Sequence, residues 1–105
     1  GEMIERFLND YEDLKGLVMI VDLRHPPTAD DRQMYDWAKA AGVPVVVAAT
    51  KADKLNRSQI DPHLAQVWEG LGMEHYPDDV LLPVSAESGL NRDKLWAAIA
   101  DLISA

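Results

Sequence analysis

Three short apolar runs, Leu17 to Val21, Val43 to Ala49 and Val80 to Val84, alternate along the chain with segments of helical periodicity. Each run is too short for a core helix and rich in strand formers, so each reads as a strand. A continuous apolar run, rather than an alternating one, marks a strand covered on both faces, the pattern of a parallel sheet. Strands alternating with helices imply parallel neighbours joined by right-handed crossovers. Pro83 cannot donate to a ladder, which places the third run at a sheet edge. In such sheets ligands bind outside the carboxyl ends of the strands. The segments that follow the runs, Asp22 to Thr28, Thr50 to Asn56 and Ser85 to Leu90, meet there.

The helices between the runs carry their own signals. Met3, Ile4, Phe7, Leu8, Tyr11 and Leu14 have helical spacing, and Gly16 is placed to end that first helix. Thr28 with Asp31 three residues on predicts a helix start, with Asp30 and Asp31 favoured by the helix dipole. Met34, Trp37, Ala38 and Ala41 form the expected buried stripe, and Gly42 the stop. Asp61-Pro62 reads as the start of the next helix, although Ser58 could begin it earlier. Its stripe is Leu64, Val67, Trp68 and Leu71. Asn91 is the expected cap of the last helix, with Leu95, Trp96, Ile99, Leu102 and Ile103 inward. All three tryptophans thus fall on core stripes and read as packing, not as a platform for stacking bases.

With an ordinary apolar fraction of 48%, 105 residues make one domain or a piece of one. The absence of cysteine excludes disulfides, thiolate catalysis and cysteine-ligated zinc. No run approaches the roughly 20 residues of a membrane span, and there is no signal peptide, so a soluble cytoplasmic protein without membrane partners is expected. A formal net charge of −8 argues against a broad nucleic-acid-binding face, which needs an excess of Lys and Arg. His25, His63 and His75 lie far apart without helical pairing, so no metal site is expected.

The chemistry concentrates at Thr50-Lys51-Ala52-Asp53, directly after the second strand. This is the [NT]-K-x-D pattern with which P-loop GTPases read guanine. Guanine presents an N1–H and an N2 amine side by side, and a carboxylate accepts both; adenine offers a bare N1 and is repelled. A bond of this charge-assisted kind contributes about 1.5–3 kcal/mol. The stem of Lys51 can lie along the base with its ammonium in water. Thr50 would tie neighbouring loops through its hydroxyl. Ser85-Ala86-Glu87-Ser88-Gly89 follows the next strand. Its small residues admit the base, its backbone N–H groups can donate to O6, and Gly89 supports a tight turn. A solvated loop and an ordinary strand-to-helix turn are the plain alternatives; two such loops on successive strands favour guanine. At Asp22 to Thr28 no nucleophile accompanies the Asp and His, so no catalytic residue is assigned; Arg24 could pair with Asp22, Asp30 or Asp31.

Asp22-x-Arg24-His25-x-Pro27-Thr28-x-x-Asp31-x-x-Met34, followed by Thr50-Lys51-Ala52-Asp53-Lys54, resembles the EngB/YsxC group of bacterial GTP-binding proteins. Leu14-Lys15-Gly16-Leu17 resembles that family's approach to its fourth strand, so the likeness covers essentially the whole chain. It implies a three-layer α/β fold: the C-terminal half of a Ras-like P-loop GTPase, with three parallel strands and flanking helices, so that residues 1 to 105 form a partial GTPase domain. It implies GTP or GDP with magnesium, slow GTP hydrolysis, a role in assembly of the large ribosomal subunit, and a role in cell division and septation. The sequence holds no G-x-x-x-x-G-K-[ST], no switch I threonine and no D-x-x-G. Phosphate binding, magnesium binding and hydrolysis in the family depend on those parts. Only base recognition carries over, onto Thr50, Lys51, Asp53, Ser85 and Ala86, with Lys54 as a further candidate.

Two other readings stand beside this one. The chain could be a non-enzymatic interaction module that kept the fold without the phosphate site; a P-loop in the reading frame upstream of Gly1 would exclude that. An unrelated flavodoxin-like domain would let GDP and ADP compete equally.

The first strand, which the family pairs with its P-loop strand, is expected to have an open apolar edge, an invitation to homodimer formation or exchange of elements. Two charge-assisted bonds plus stacking leave roughly 4 kcal/mol after costs, or about millimolar affinity. The 105-residue chain alone is therefore expected to show no micromolar GTP binding and no hydrolysis. Magnesium-dependent micromolar binding by calorimetry would overturn this.

Overall fold

The computed structural model describes residues 15 to 104, and the expected first helix, 3 to 14, lies outside them. The order is β1 (Leu17–Asp22), α1 (Ala29–Ala40), β2 (Val45–Thr50), a short 3-10 turn (Ala52–Lys54), α2 (Arg57–Leu71), a second turn (Met73–His75), β3 (Val80–Pro83) and α3 (Arg92–Ser104). The three strands form one parallel sheet in the order β1-β2-β3, with Leu17 opposite Val45 and Val46 opposite Val80. Pro83 sits on an edge strand, as its missing N–H requires.

Register divides the side chains between two faces. Leu17, Met19 and Val21 of β1 and Val45, Val47 and Ala49 of β2 share one face and are buried with Met34, Tyr35 and Ala38 of α1 and Val67 and Leu71 of α2. The other face holds Val46 and Ala48, also buried, and carries α3 against β2 and β3. The expectation that β1 is covered on both faces is corrected here. Ile20, on the α3 side, is 71% exposed, because α3 packs mainly against β2 and β3. The same geometry corrects the reading of the last helix. No residue of α3 is buried, and Trp96 and Ile103 stand 64% and 67% exposed on its outer side.

Local signals account for most boundaries. The Thr28 hydroxyl accepts from the Asp31 N–H at 3.1 Å while the Asp31 carboxylate accepts from the Thr28 N–H at 3.0 Å, the reciprocal cap that starts α1. In α1 the buried stripe is Met34, Tyr35 and Ala38, with Trp37 half-buried and Ala41 exposed beyond the helix end. The α2 start lies earlier than Asp61-Pro62. Asn56 precedes it, and its N–H donates to Gln59 Oε1 at 2.9 Å, so Pro62 lies inside the helix. Asn91 precedes α3, but its side chain donates to the Pro83 carbonyl at 2.8 Å instead of capping the helix. Gly16 allows close approach to the last helix: a Cβ there would lie 2.8 Å from a Leu102 methyl.

A buried polar cluster pins the amino ends of the strands. Asp79 accepts from the Tyr35 hydroxyl at 2.7 Å and from the Val45 N–H at 3.1 Å, and pairs with the Lys39 ammonium at 2.8 Å. Lys39 also lies 5.0 Å from the centre of the Tyr76 ring. Burial, then the Asp79 contact, pushes the Tyr35 hydroxyl well above its ordinary pKa, so it remains a donor. The side chains of Lys39 and Asp79 are 11% and 4% exposed, which makes the pair costly to break. Asp79→Ala leaves the ammonium without its counter-charge, with the Val43 carbonyl as its remaining hydrogen-bond partner, strands the Val45 N–H, and should destabilise by about 3–5 kcal/mol. Tyr35→Phe should cost about 1–3 kcal/mol. Urea unfolding midpoints check both, and equal midpoints in wild type and Asp79→Ala would contradict the assignment.

Candidate functional site: a cavity at the carboxyl ends of the strands

Beyond the carboxyl ends of β2 and β3 lies an open cavity of about 480 Å³. Thr50, Lys51, Asp53, Lys54, Ser85 and Ala86, the six candidates from the sequence, all line it. They arrive on two loops that the parallel register sets side by side. The Ala52 N–H donates to the Val84 carbonyl at 3.1 Å and the Val84 N–H to the Ala49 carbonyl at 2.8 Å, which stitches the loops together.

Within this frame Asp53 is held from the neighbouring loop. The Ser85 hydroxyl donates to Asp53 Oδ1 at 2.8 Å and accepts from the Ser88 N–H at 3.1 Å. Ser85 is itself buried, so its hydroxyl is fixed between these partners. That hydrogen bond is the largest cause of an Asp53 pKa below the usual carboxylate value, with the Lys54 ammonium adding to it. Lys54 lies 3.7 Å from Asp53 and 3.8 Å from Glu87. Thr50 ties strand β2 to strand β1 rather than one loop to another, its hydroxyl donating to the Val21 carbonyl at 3.0 Å.

Two backbone features shape the rim. Lys51 adopts a left-handed conformation, φ 64°, uncommon for a residue with a side chain and a mark of a constrained turn. Gly89, φ 76°, closes the turn after β3, where a side chain would be strained.

Other residues complete the lining: Val84, Glu87, Leu90, Arg92 and Leu95. Helical periodicity puts Leu95 on a core stripe and singles out nothing at Arg92, so neither is a candidate from sequence. The signal that could have found them is position: both belong to the first turn of the helix that follows Ser85 to Leu90. Arg24 pairs with Asp22 among its three candidate partners, and the His63 ring contacts the Leu23 carbonyl at 2.9 Å.

Outside this molecule, the chain is 45% identical over 104 residues to the protein named "Probable GTP-binding protein EngB" of Bacillus velezensis, spanning 99% of this chain and 52% of the relative. It is 43% identical over 104 residues to the protein of the same name from Bacillus subtilis, at the same coverage. Along its whole length the chain is similar to these EngB proteins. It spans about half the length of the curated relatives it matches. No family model matches it. The crystal structure of a probable GTP-binding protein EngB superposes with a TM-score of 0.79 at 23% identity, covering 98% of this chain and 65% of that one. Translation elongation factor SelB from Methanococcus maripaludis gives 0.74 at 21% identity, over 85% of this chain and 20% of that one. Three parallel strands with helices on both faces fit the C-terminal half of the Ras-like fold that such neighbours share.

The described residues offer no group of three or more His, Asp or Glu side chains able to hold a metal ion. The carboxylates nearest the cavity are engaged by Ser85 and Lys54, so they do not fit a magnesium site and no step is assigned to that ion. Among the described residues no helix is long and apolar enough to cross a membrane.

Because its pKa is depressed in the fold, Asp53 stabilises the folded state above the ordinary carboxylate value of 3.8, and that contribution fades as pH falls through the lower folded value. Ser85→Ala removes the main cause, so Asp53 should take up its proton at a higher pH than in wild type. A carboxyl-carbon NMR titration of Asp53 reads this directly; identical midpoints in the two proteins would refute it.

Proposed function

We propose that this chain is the guanine-reading part of a GTP-binding protein of EngB type. The observation that carries the reading is the Asp53 carboxylate, oriented by Ser85 at the edge of a cavity that Lys51 and Ala86 also line. With Oδ1 held by the Ser85 hydroxyl, the carboxylate has one fixed orientation and retains accepting capacity on both oxygens. Guanine N1–H and the N2 amine match it, whereas adenine N1 turns an acceptor lone pair toward it. The small side chain of Ala86 leaves room for the base edge, and the Lys51 stem offers an apolar surface for its face. The names of the relatives, probable GTP-binding proteins, support the same ligand.

Family resemblance extends the proposal. The whole protein would bind GTP or GDP with magnesium through its P-loop and switch segments, and these would perform hydrolysis. It would act in the cytoplasm in assembly of the large ribosomal subunit and in cell division. The residues of this chain supply base selection and no catalytic group. Among the described residues no strand pairs with the outer edge of β1, beside the exposed Ile20, which supports a further role for the chain on its own, pairing with a second copy or exchanging elements with it.

Asp53→Asn in the complete protein tests the central reading. Asparagine turns an N–H toward the donors of guanine, so GDP affinity should fall by about tenfold or more, the effect of losing one charge-assisted bond. Xanthosine diphosphate, which carries an oxygen in place of the N2 amine, should become the better ligand. Competition binding with the two nucleotides measures the switch. Unchanged GDP affinity in Asp53→Asn would sink the reading.

A further inference from the structure

Asp22 to Thr28 is the most specific segment of the sequence, yet base recognition as described makes no use of it. Its first residue ends β1 opposite Thr50 of β2. The backbone is stitched on both sides of that position: the Leu23 N–H donates to the Thr50 carbonyl at 3.0 Å, and the Thr50 hydroxyl to the Val21 carbonyl at 3.0 Å. The Asp22 side chain is held as firmly. Its Oδ1 accepts from the Arg24 backbone N–H at 2.9 Å and from Arg24 Nε at 3.1 Å, and its Oδ2 accepts from Arg24 Nη2 at 2.8 Å. A two-pronged guanidinium pair of this type fixes the plane of the carboxylate as well as its place.

That carboxylate faces the base-reading loop. Asp22 Oδ2 is 4.0 Å from the Lys51 ammonium, and Lys51 lines the cavity. The two lysines of the loop are thereby sorted between different anions. Lys54 lies by Asp53 and Glu87 on the β3 side, and Lys51 by Asp22 on the β1 side. The left-handed backbone at Lys51 sets where its stem leaves the turn, and the stem ends 4.0 Å from Asp22.

We propose that Asp22, oriented by Arg24, is a positioning residue for Lys51: it anchors the ammonium at the end of β1 so that the four-carbon stem lies across the face of the bound guanine. The inference rests on the guanine reading above. It gives the Asp22-x-Arg24 segment a role in nucleotide affinity through Lys51, without contact to the nucleotide. At this distance, with Lys51 half-exposed, the effect of the pair is modest, about two- to fivefold in affinity.

A double-mutant cycle in the complete protein tests it, with GDP affinity as the readout and Lys51→Met as the second variant, since methionine keeps an unbranched stem and removes the charge. Asp22→Asn should weaken GDP about two- to fivefold in the wild-type background and have no effect in Lys51→Met. The difference should also shrink near 1 M salt, where the screening length falls to about 3 Å. An equal loss in both backgrounds, or no loss in either, overturns the inference. If Asp22→Asn does not fold, Asp22→Glu, which keeps the charge beside Arg24, runs through the same cycle. Its change in affinity should vanish with Lys51→Met, and persistence overturns the inference. Asp53→Asn is measured alongside: if it leaves GDP affinity intact, the guanine reading itself has failed, whereas a loss there with no Asp22–Lys51 coupling rejects the positioning role alone.

Discussion

The parallel pairing of β2 on both sides is the constraint from which the rest of this structure follows. A central strand satisfies its backbone groups only between two neighbours, and here Val45 to Thr50 is flanked by β1 and β3. Parallel register brings three carboxyl ends to one side of the sheet. Every polar segment of interest leaves from that side. The amino ends are pinned by Asp79, which joins the start of β2 to Lys39 and Tyr35 of α1. One end of the sheet is thus closed by a buried ion pair, and the other is open to solvent and to ligand.

The open end is organised by carboxylates that are each held by a different partner. Asp22 belongs to Arg24, Asp53 to Ser85, and Glu87 to Lys54. This matters in a chain of net charge −8, where three carboxylates near one cavity would repel an anionic ligand if left unpaired. Pairing reduces that cost, and in the case of Asp53 it also sets orientation. A hydroxyl suits the proposed guanine contact because it donates one hydrogen bond without itself neutralising the carboxylate.

Legibility in the sequence varies with the physics of each element. The strands are readable because a short continuous apolar run suits a strand buried in a parallel sheet and is too short for a core helix. The α1 cap is readable because Thr28 and Asp31 act on one another within a single turn. The six candidate site residues are readable as a group since they follow successive strands. The start of α2 is not: proline after aspartate is a strong local signal, but the Asn56–Gln59 contact begins the helix earlier and the helix accommodates Pro62. Trp96 lies on an apolar helical stripe and Ile20 in an apolar run, which predicts burial for both. Such patterns report which residues share a face, not whether something covers that face, and among the described residues nothing covers these two.

The fold class, the loop proposed to read the base and the resemblance to the EngB family were legible from the chain alone, because hydrophobic period and short motifs are encoded by neighbouring residues. Only the tertiary structure decided which partners the charged groups take. Ser85 is 32 positions from Asp53 and Asp79 is 40 from Lys39, and nothing local chooses between these and other pairings. Parallel register makes the choice, since it alone determines which loops stand side by side at the end of the sheet.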